Sequence, residues 1–335
     1  MTPTIVPTTS TRTNNLASQI LGEAGIGIAL VVLFFFFLVF APYFGTAGNV
    51  RDIMTQITLN TILAVGMTFV ILVGGIDLSV GSVIALCAVV SGTLATGSGG
   101  SAEVRILLAL LLSIAVGTAV GFINGFVTET WKVPSFIVTL GMLYVARGAA
   151  QQYTGAATIY NLPKALTDFG TATVLGLPVV FVVAILMVAL AWFVLSRTVF
   201  GRMVYAIGNN EEAVRLSGHR TSRIKVMCFM IGGACVGIAA VVYMARLGVA
   251  SPILGQGYEL NAIAAVVIGG ASLTGGRGTV IGTLLGACLL GVLSNGLLLM
   301  GVSDFLRTMI TGGVIIFAVV LDSYRRRLST RLSAS

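Results

Sequence analysis

The side chains able to do chemistry are few in this sequence, and they do not gather. The four cysteines, Cys87, Cys228, Cys235 and Cys288, each fall inside an apolar run and form no C-x-x-C pair, so neither a disulfide framework nor a thiolate metal site is expected. His219, the single histidine, sits in a charged loop, where the reading is a solvated or partner-contacting ring. There is no GxxxxGK[ST] to cradle a nucleotide, no HExxH to hold zinc and no GxSxG elbow to present a serine. Asp77, Glu103, Glu129, Glu259 and Asp304 all fall near the ends of apolar runs. The run centres therefore lack the ionisable groups that proton- or sodium-coupled carriers place near mid-membrane. No catalytic residue, metal or cofactor is expected, and uphill movement of a solute would draw its energy from a partner.

Two polar groups stand out from this background. The first is the charged loop from Arg197 to Lys225. Within it, Asn209 to Gly218 reads as a two-turn helix, with Asn209 as N-cap, Glu212 reaching back as in a capping box, and Gly218 as the stop. A helix that short is marginal alone and needs tertiary contact. Ala213 and Leu216, three apart, offer a small apolar ridge flanked by charge. It can pack on its own bundle or on another protein, and local physics does not choose. The second group is the set of amides and hydroxyls inside apolar runs: Asn60, Thr61, Thr68, Asn124, Thr139, Asn261 and Asn295, joined by Asp77 and Ser79 in a glycine-rich turn. Such groups line a path for a small polar solute or bond a neighbouring helix. For Asp77 and Ser79, capping of the next helix is the first reading.

The elements that position these residues follow from composition. With 57% hydrophobic and 9% charged residues and a mean hydropathy of +1.04, a chain of 335 residues cannot coat a water-soluble globule. Continuous apolar runs, rather than alternation, exclude a barrel and require helices. The net charge of +8 lies in short loops with no basic stripe, which excludes a nucleic-acid partner. The sequence predicts an all-α polytopic bundle with spans at about 25–44, 53–73, 78–97, 104–128, 134–152, 174–196, 225–246, 258–274, 278–300 and 304–322. The eighth is short and ends in Gly269-Gly270, so it is expected to be broken or re-entrant. Residues 1–22 read as a disordered cytoplasmic tail, 23–324 as one membrane domain and 325–335 as a basic tail. Thirteen of the nineteen lysines and arginines fall on one side of this arrangement, which places both termini in the cytoplasm.

One internal echo is visible. Val73-Gly74-Gly75-Ile76-Asp77-Leu78-Ser79-Val80-Gly81 resembles Ile268-Gly269-Gly270-Ala271-Ser272-Leu273-Thr274-Gly275-Gly276. In each, the glycine pair ends one helix, and Asp77 or Ser272, followed by Ser79 or Thr274, is placed to cap the next. Gly117, Gly121, Gly125, Gly282, Gly286 and Gly291 have spacings that let helix backbones approach closely.

Several blocks in order carry a wider resemblance: Ala64-Val65-Gly66-Met67-Thr68 into Gly75-Ile76-Asp77-Leu78-Ser79-Val80-Gly81-Ser82; Gly201-Arg202 through Gly208-Asn209-Asn210-Glu211; Arg215-Leu216-Ser217-Gly218; and Gly257-Tyr258-Glu259-Leu260 leading into Ala264-Ala265-Val266-Val267-Ile268-Gly269-Gly270. From about residue 26 to 322 the chain resembles the permease subunits of ATP-binding-cassette importers for ribose and related monosaccharides. That resemblance implies a non-enzymatic transport subunit of the inner membrane. Its implied partners are a cytoplasmic ATP-binding subunit, a periplasmic sugar-binding protein and a second permease copy, within lipid. It also implies that the loop helix couples to the ATPase through Asn209, Glu211, Glu212, Ala213, Arg215, Leu216 and Gly218, with the relative weight of Glu211 and Glu212 left open. The alternative from a different class is a secondary carrier or channel for a small polar solute.

Overall fold

The structure is a computed structural model that describes residues 11–332, with side chains described for 25–317 and 320. Twelve helices occur among the described residues: α1 (Thr11–Phe40), α2 (Ala47–Leu72), α3 (Val80–Thr96), α4 (Ala102–Trp131), α5 (Ser135–Thr154), α6 (Lys164–Thr171), α7 (Val179–Arg197), α8 (Val199–Leu216), α9 (Thr221–Leu247), α10 (Tyr258–Ile268), α11 (Val280–Leu299) and α12 (Asp304–Leu332). Each of the ten apolar segments coincides with one of these helices, and α6 and α8 lie between segments. Helix α1 runs back to Thr11, into the stretch read as a tail. Residues 1–10 lie outside the described residues, as do the side chains of Arg325, Arg326 and Arg327.

Five helices, α2, α4, α7, α9 and α11, are long and apolar enough to cross a membrane, and three shorter apolar helical stretches accompany them. They divide by what covers them. The second half of helix α2 is covered on all sides: Ile62, Leu63, Ala64, Val65, Met67, Phe69, Val70, Ile71 and Leu72 are all buried. Such a helix belongs at the centre of a bundle. Helices α4 and α7 instead leave Leu107, Leu108, Leu111, Leu186, Leu190 and Phe193 exposed, the outward face that a lipid solvent calls for. The molecule is a polytopic all-α membrane protein.

Glycine sets how close the helices lie. A Cβ at Gly117 would collide with the Gly233 carbonyl, and one at Gly121 with the Phe229 carbonyl. Helices α4 and α9 thus meet backbone to backbone, tied further by Ser113 Oγ donating to Gly237 O at 2.7 Å. On α11, Gly282 and Gly286 meet the α10 end in the same manner, at Gly269 O and Ala265 O.

Two segments depart from the expected spans. The sixth was expected from residue 174, but a two-residue hairpin (β1, Thr173–Val174; β2, Leu177–Pro178) precedes α7. Its turn residues Leu175 and Gly176 both have positive φ, at 53° and 82°, which forbids helix there. The eighth is short as expected: 11 residues of α10 rise about 16 Å, against about 30 Å of hydrocarbon. The chain ahead of it, from Gly248 to Gly257, is not helical, yet Ala250, Ser251 and Leu254 within it are buried. Non-helical backbone at that depth is tolerable only under protein cover.

Candidate functional site

The charged loop is built around α8. Thr198 Oγ1 opens the helix by accepting from Gly201 N at 3.2 Å. The helix is interrupted at Asn210, whose backbone is extended (φ −158°, ψ 92°), and restarts because Asn210 Oδ1 accepts from Ala213 N at 3.0 Å. Asn210, and not Asn209, is therefore the cap of the second part. This shift by one residue also removes the expected capping box. Glu212 turns outward and grips Arg215, whose Nη2 lies 2.7 Å from both carboxylate oxygens. That hydrogen bond and charge hold the Arg215 guanidinium above its ordinary pKa. The stop is as expected: Gly218 has φ 84°, with Gly218 N on Arg215 O and His219 N on Val214 O. Val214 packs inward on the core, whereas Ala213 is exposed and Leu216 is 79% exposed. The apolar ridge faces away from its own bundle.

Ahead of the break, α8 is pinned to two other segments. Tyr205 donates its hydroxyl to Gly278 O at 2.9 Å, and Asn209 Nδ2 donates to Gly276 O at 3.2 Å. Gly276 N in turn donates to Leu72 O at 2.9 Å. A Cβ on Gly208 would strike both Leu72 O and Gly276 N, so three backbones meet where only glycine fits. Beyond the break, the two glutamates part. Glu211 turns inward, accepting from Thr221 Oγ1 at 3.1 Å and Lys225 Nζ at 2.9 Å, while Glu212 stays outside. Lys225 Nζ also lies 2.8 Å from Glu129 Oε1, and Lys132 holds the other oxygen of Glu129 at 2.9 Å.

The two glycine turns end their helices alike. After α2, Gly74 N donates to Ile71 O and Gly75 N to Val70 O; after α10, Gly270 N donates to Val267 O and Ala271 N to Val266 O. Gly74 and Gly270 carry the left-handed φ of 77° and 87° that this cap requires. The expected caps of the following helices are not formed by Asp77 or Ser272. Asp77 Oδ1 accepts from Ser79 N at 2.8 Å and Ser79 Oγ at 2.6 Å, and Ser272 Oγ accepts from Thr274 N at 3.3 Å. Each side chain is spent on a local turn two residues long. Ser79 makes no cap bond to α3, and α11 is capped by Thr279, which accepts from Gly282 N at 2.9 Å.

Of the polar residues read as a possible path, four come together at the first turn. Asn124 Nδ2 donates to Ser79 Oγ at 3.0 Å, Thr139 Oγ1 accepts from Leu78 N at 3.0 Å, and Asp77 holds Ser79. Thr68 instead pairs with Thr283 at 2.9 Å, bonding α2 to α11. Thr61 Oγ1 and Asn295 Oδ1 are buried without a hydrogen-bond partner among the described residues, as is Asn124 Oδ1. Asn60 and Asn261 are half-buried. A cavity of about 240 Å³ lies beside the first turn, lined by Gly74, Gly75, Thr128, Glu129, Lys132 and Lys225 among others. Among the described residues no three His, Cys, Asp or Glu side chains are grouped to hold a metal.

Sequence reasoning missed one residue of this assembly. Arg147 lies within α5, and its Nη1 donates to Pro252 O and Leu254 O, at 2.7 Å each. It ties down the buried non-helical chain that feeds α10, whose Glu259 accepts from Gly257 N at 3.2 Å. The signal was present: one arginine inside an otherwise apolar run needs carbonyls or a counter-charge.

The model of a family described as branched-chain amino acid transport system / permease component matches residues 49–319. The ribose import permease protein of Escherichia coli K12 is 40% identical over 304 residues, covering 89% of this chain and 93% of that protein. Its counterpart in Bacillus subtilis is 40% identical over 306 residues, covering 90% and 93%. The L-arabinose permease protein of Azospirillum brasilense is 35% identical over 308 residues, covering 92% and 89%. No solved structure matches.

Proposed function

The chain belongs to the family of transport-system permease components, and from that premise we propose that it is the membrane subunit of an ATP-driven importer for a ribose-like monosaccharide. It is not itself an enzyme; ATP hydrolysis belongs to a separate ATP-binding subunit, and a substrate-binding protein delivers the solute. It resides in the cell's inner (plasma) membrane. Residues 23–324 form one permease domain of ten crossings with cytoplasmic termini, and a second copy completes a homodimer around the pathway. Although the family description speaks of amino acids, relatives at 35–40% identity include permeases named for ribose, L-arabinose and D-allose. The buried polar set of Thr61, Thr68, Asn124, Thr139 and Asn295 supplies hydroxyls and amides, which suit a polyol and neutralise no charge.

The observation that carries this reading is the segment beyond Asn210. It shows an uncovered ridge, Ala213 and Leu216, beside the Glu212–Arg215 pair, on a helix whose other part meets the end of α2 and the second glycine turn. The ATP-binding subunit docks there, and closure of two such subunits rocks the bundles between inward- and outward-facing states. Replacing Glu212 by Ala together with Leu216 by Asp is expected to release the ATP-binding subunit during purification and to lower ATP-dependent uptake of radiolabelled D-ribose more than about tenfold. Uptake by vesicles holding this chain alone, without ATP, would instead make it a carrier or channel.

A further inference from the structure

Resting on the permease reading above, we propose that Lys225 is a positioning residue that carries displacement of the segment beyond Asn210 into the paired helices α4 and α9. The break at Asn210 separates two sets of anchors on one helix. Ahead of it, Tyr205, Gly208 and Asn209 hold α8 to the end of α2 and to the α10–α11 loop. Beyond it, the polar hold on the bundle is Glu211, which accepts from Thr221 and from Lys225. Both partners belong to the first turns of α9.

Lys225 then reaches a third element. Its Nζ stands between Glu211 Oε2 at 2.9 Å and Glu129 Oε1 at 2.8 Å, and the Glu129 side chain, on the last turns of α4, is 5% exposed. One ammonium thus bridges the partly exposed Glu211 of the coupling segment and the buried Glu129 carboxylate, and a charge-assisted pair with a buried end is costly to break. What lies behind it is rigid. The α4–α9 seam is closed by glycine backbones, so a push on Glu129 or Lys225 moves both helices together instead of bending one. The cavity of about 240 Å³ that Lys225 and Glu129 line, next to Gly74 and Gly75, leaves room for that movement. A decorative surface pair would have neither a buried end nor a cavity beside it.

The test uses the assembled importer, with its ATP-binding subunit and binding protein, in proteoliposomes with radiolabelled D-ribose, L-arabinose and D-allose as probes. Wild-type uptake of none of the three with ATP present would overturn the permease reading, and this inference with it. With wild-type uptake established, Glu211→Gln and Lys225→Met are expected to retain the ATP-binding subunit while sugar moved per ATP falls about tenfold. Lys225→Arg should recover most of that loss. Glu211→Gln leaves the Lys225–Glu129 pair in place, so it reads the link even where Lys225→Met fails to fold. Unchanged sugar per ATP in Glu211→Gln would overturn the proposal. Loss of the ATP-binding subunit from that variant would also do so, because Glu211 would then be a docking residue.

Discussion

The two glycine turns begin as the same structure and end as different ones. Both close a helix with the same pair of backbone hydrogen bonds around a left-handed glycine, Gly74 or Gly270, and both follow with a side chain that takes the N–H two residues on. The first turn then enters α3 at once and is held by its own bundle, through Ser135 and Thr139 of α5 and Asn124 of α4. The second inserts Gly275-Gly276-Arg277-Gly278 before α11, and this insertion meets Asn209 and Gly208 of α8. A shared cap thus fixes where a helix stops, while the residues after it decide whether the turn is held by the neighbouring spans or becomes the anchor of α8.

The strongest way to break this contrast is to give each turn the same small side chain. Gly276 and Gly74 have nearly equal φ, 75° and 77°, so Ala at either carries a left-handed cost of about 1–2 kcal/mol. Beyond that they differ. At Gly276 the new Cβ would sit 2.7 Å from Asn209 Cγ and 2.8 Å from Asn209 N, whereas at Gly74 the nearest atom is Thr274 O at 3.6 Å. Gly276→Ala is expected to cost more than about 3 kcal/mol in all and to abolish uptake. Gly74→Ala should lower the melting temperature of the purified permease and leave measurable transport. Equal melting temperatures and equal uptake would erase the distinction.

How much of this was legible in the sequence follows from what each feature depends on. The glycine pairs announce both helix ends because a left-handed cap is a local requirement, and Gly218 announces the loop helix's end for the same reason. The start of that helix was misplaced by one residue because Asn209 and Asn210 are equally good caps in isolation. The choice between them is made by Gly276 O, which claims the Asn209 amide from 67 residues away. The inward turn of Glu211 is decided likewise by Lys225, and the place of Arg147 by carbonyls of Pro252 and Leu254. The amides and hydroxyls of the apolar runs are visible in the sequence, but only the fold brings Asp77, Ser79, Asn124 and Thr139 to one turn.

The next test sharpens the first turn's role as a fixed point. Asp77 is 5% exposed, and one of its oxygens accepts from both the backbone and the hydroxyl of Ser79, which also receives Asn124. Asp77→Ala strands those donors in a buried site, at a cost of about 2–3 kcal/mol seen as a lower melting temperature. Asp77→Asn keeps an oxygen at the acceptor position and should recover most of the loss. If Asn is as damaging as Ala, the carboxylate's charge and not its geometry holds the turn.

The smallest effect is expected at the matching position of the second turn. Ser272 Oγ lies 3.3 Å from Thr274 N and 2.7 Å from the Thr274 hydroxyl. Its loop is closed independently by Ser272 N on Arg277 O and Gly275 N on Ser272 O, both at 2.9 Å, and neither needs the side chain. Ser272→Ala removes two neutral hydrogen bonds, the long one from Thr274 N and the one shared with the exposed Thr274 hydroxyl, and should therefore cost only about 1 kcal/mol, with uptake within about twofold of wild type. The second turn is held in place by its backbone and by α8, so its side chain is dispensable in a way that Asp77 is not. A Ser272→Ala variant that lost as much stability as Asp77→Ala would mean that the two turns are held alike, and that the glycine insertion alone separates them.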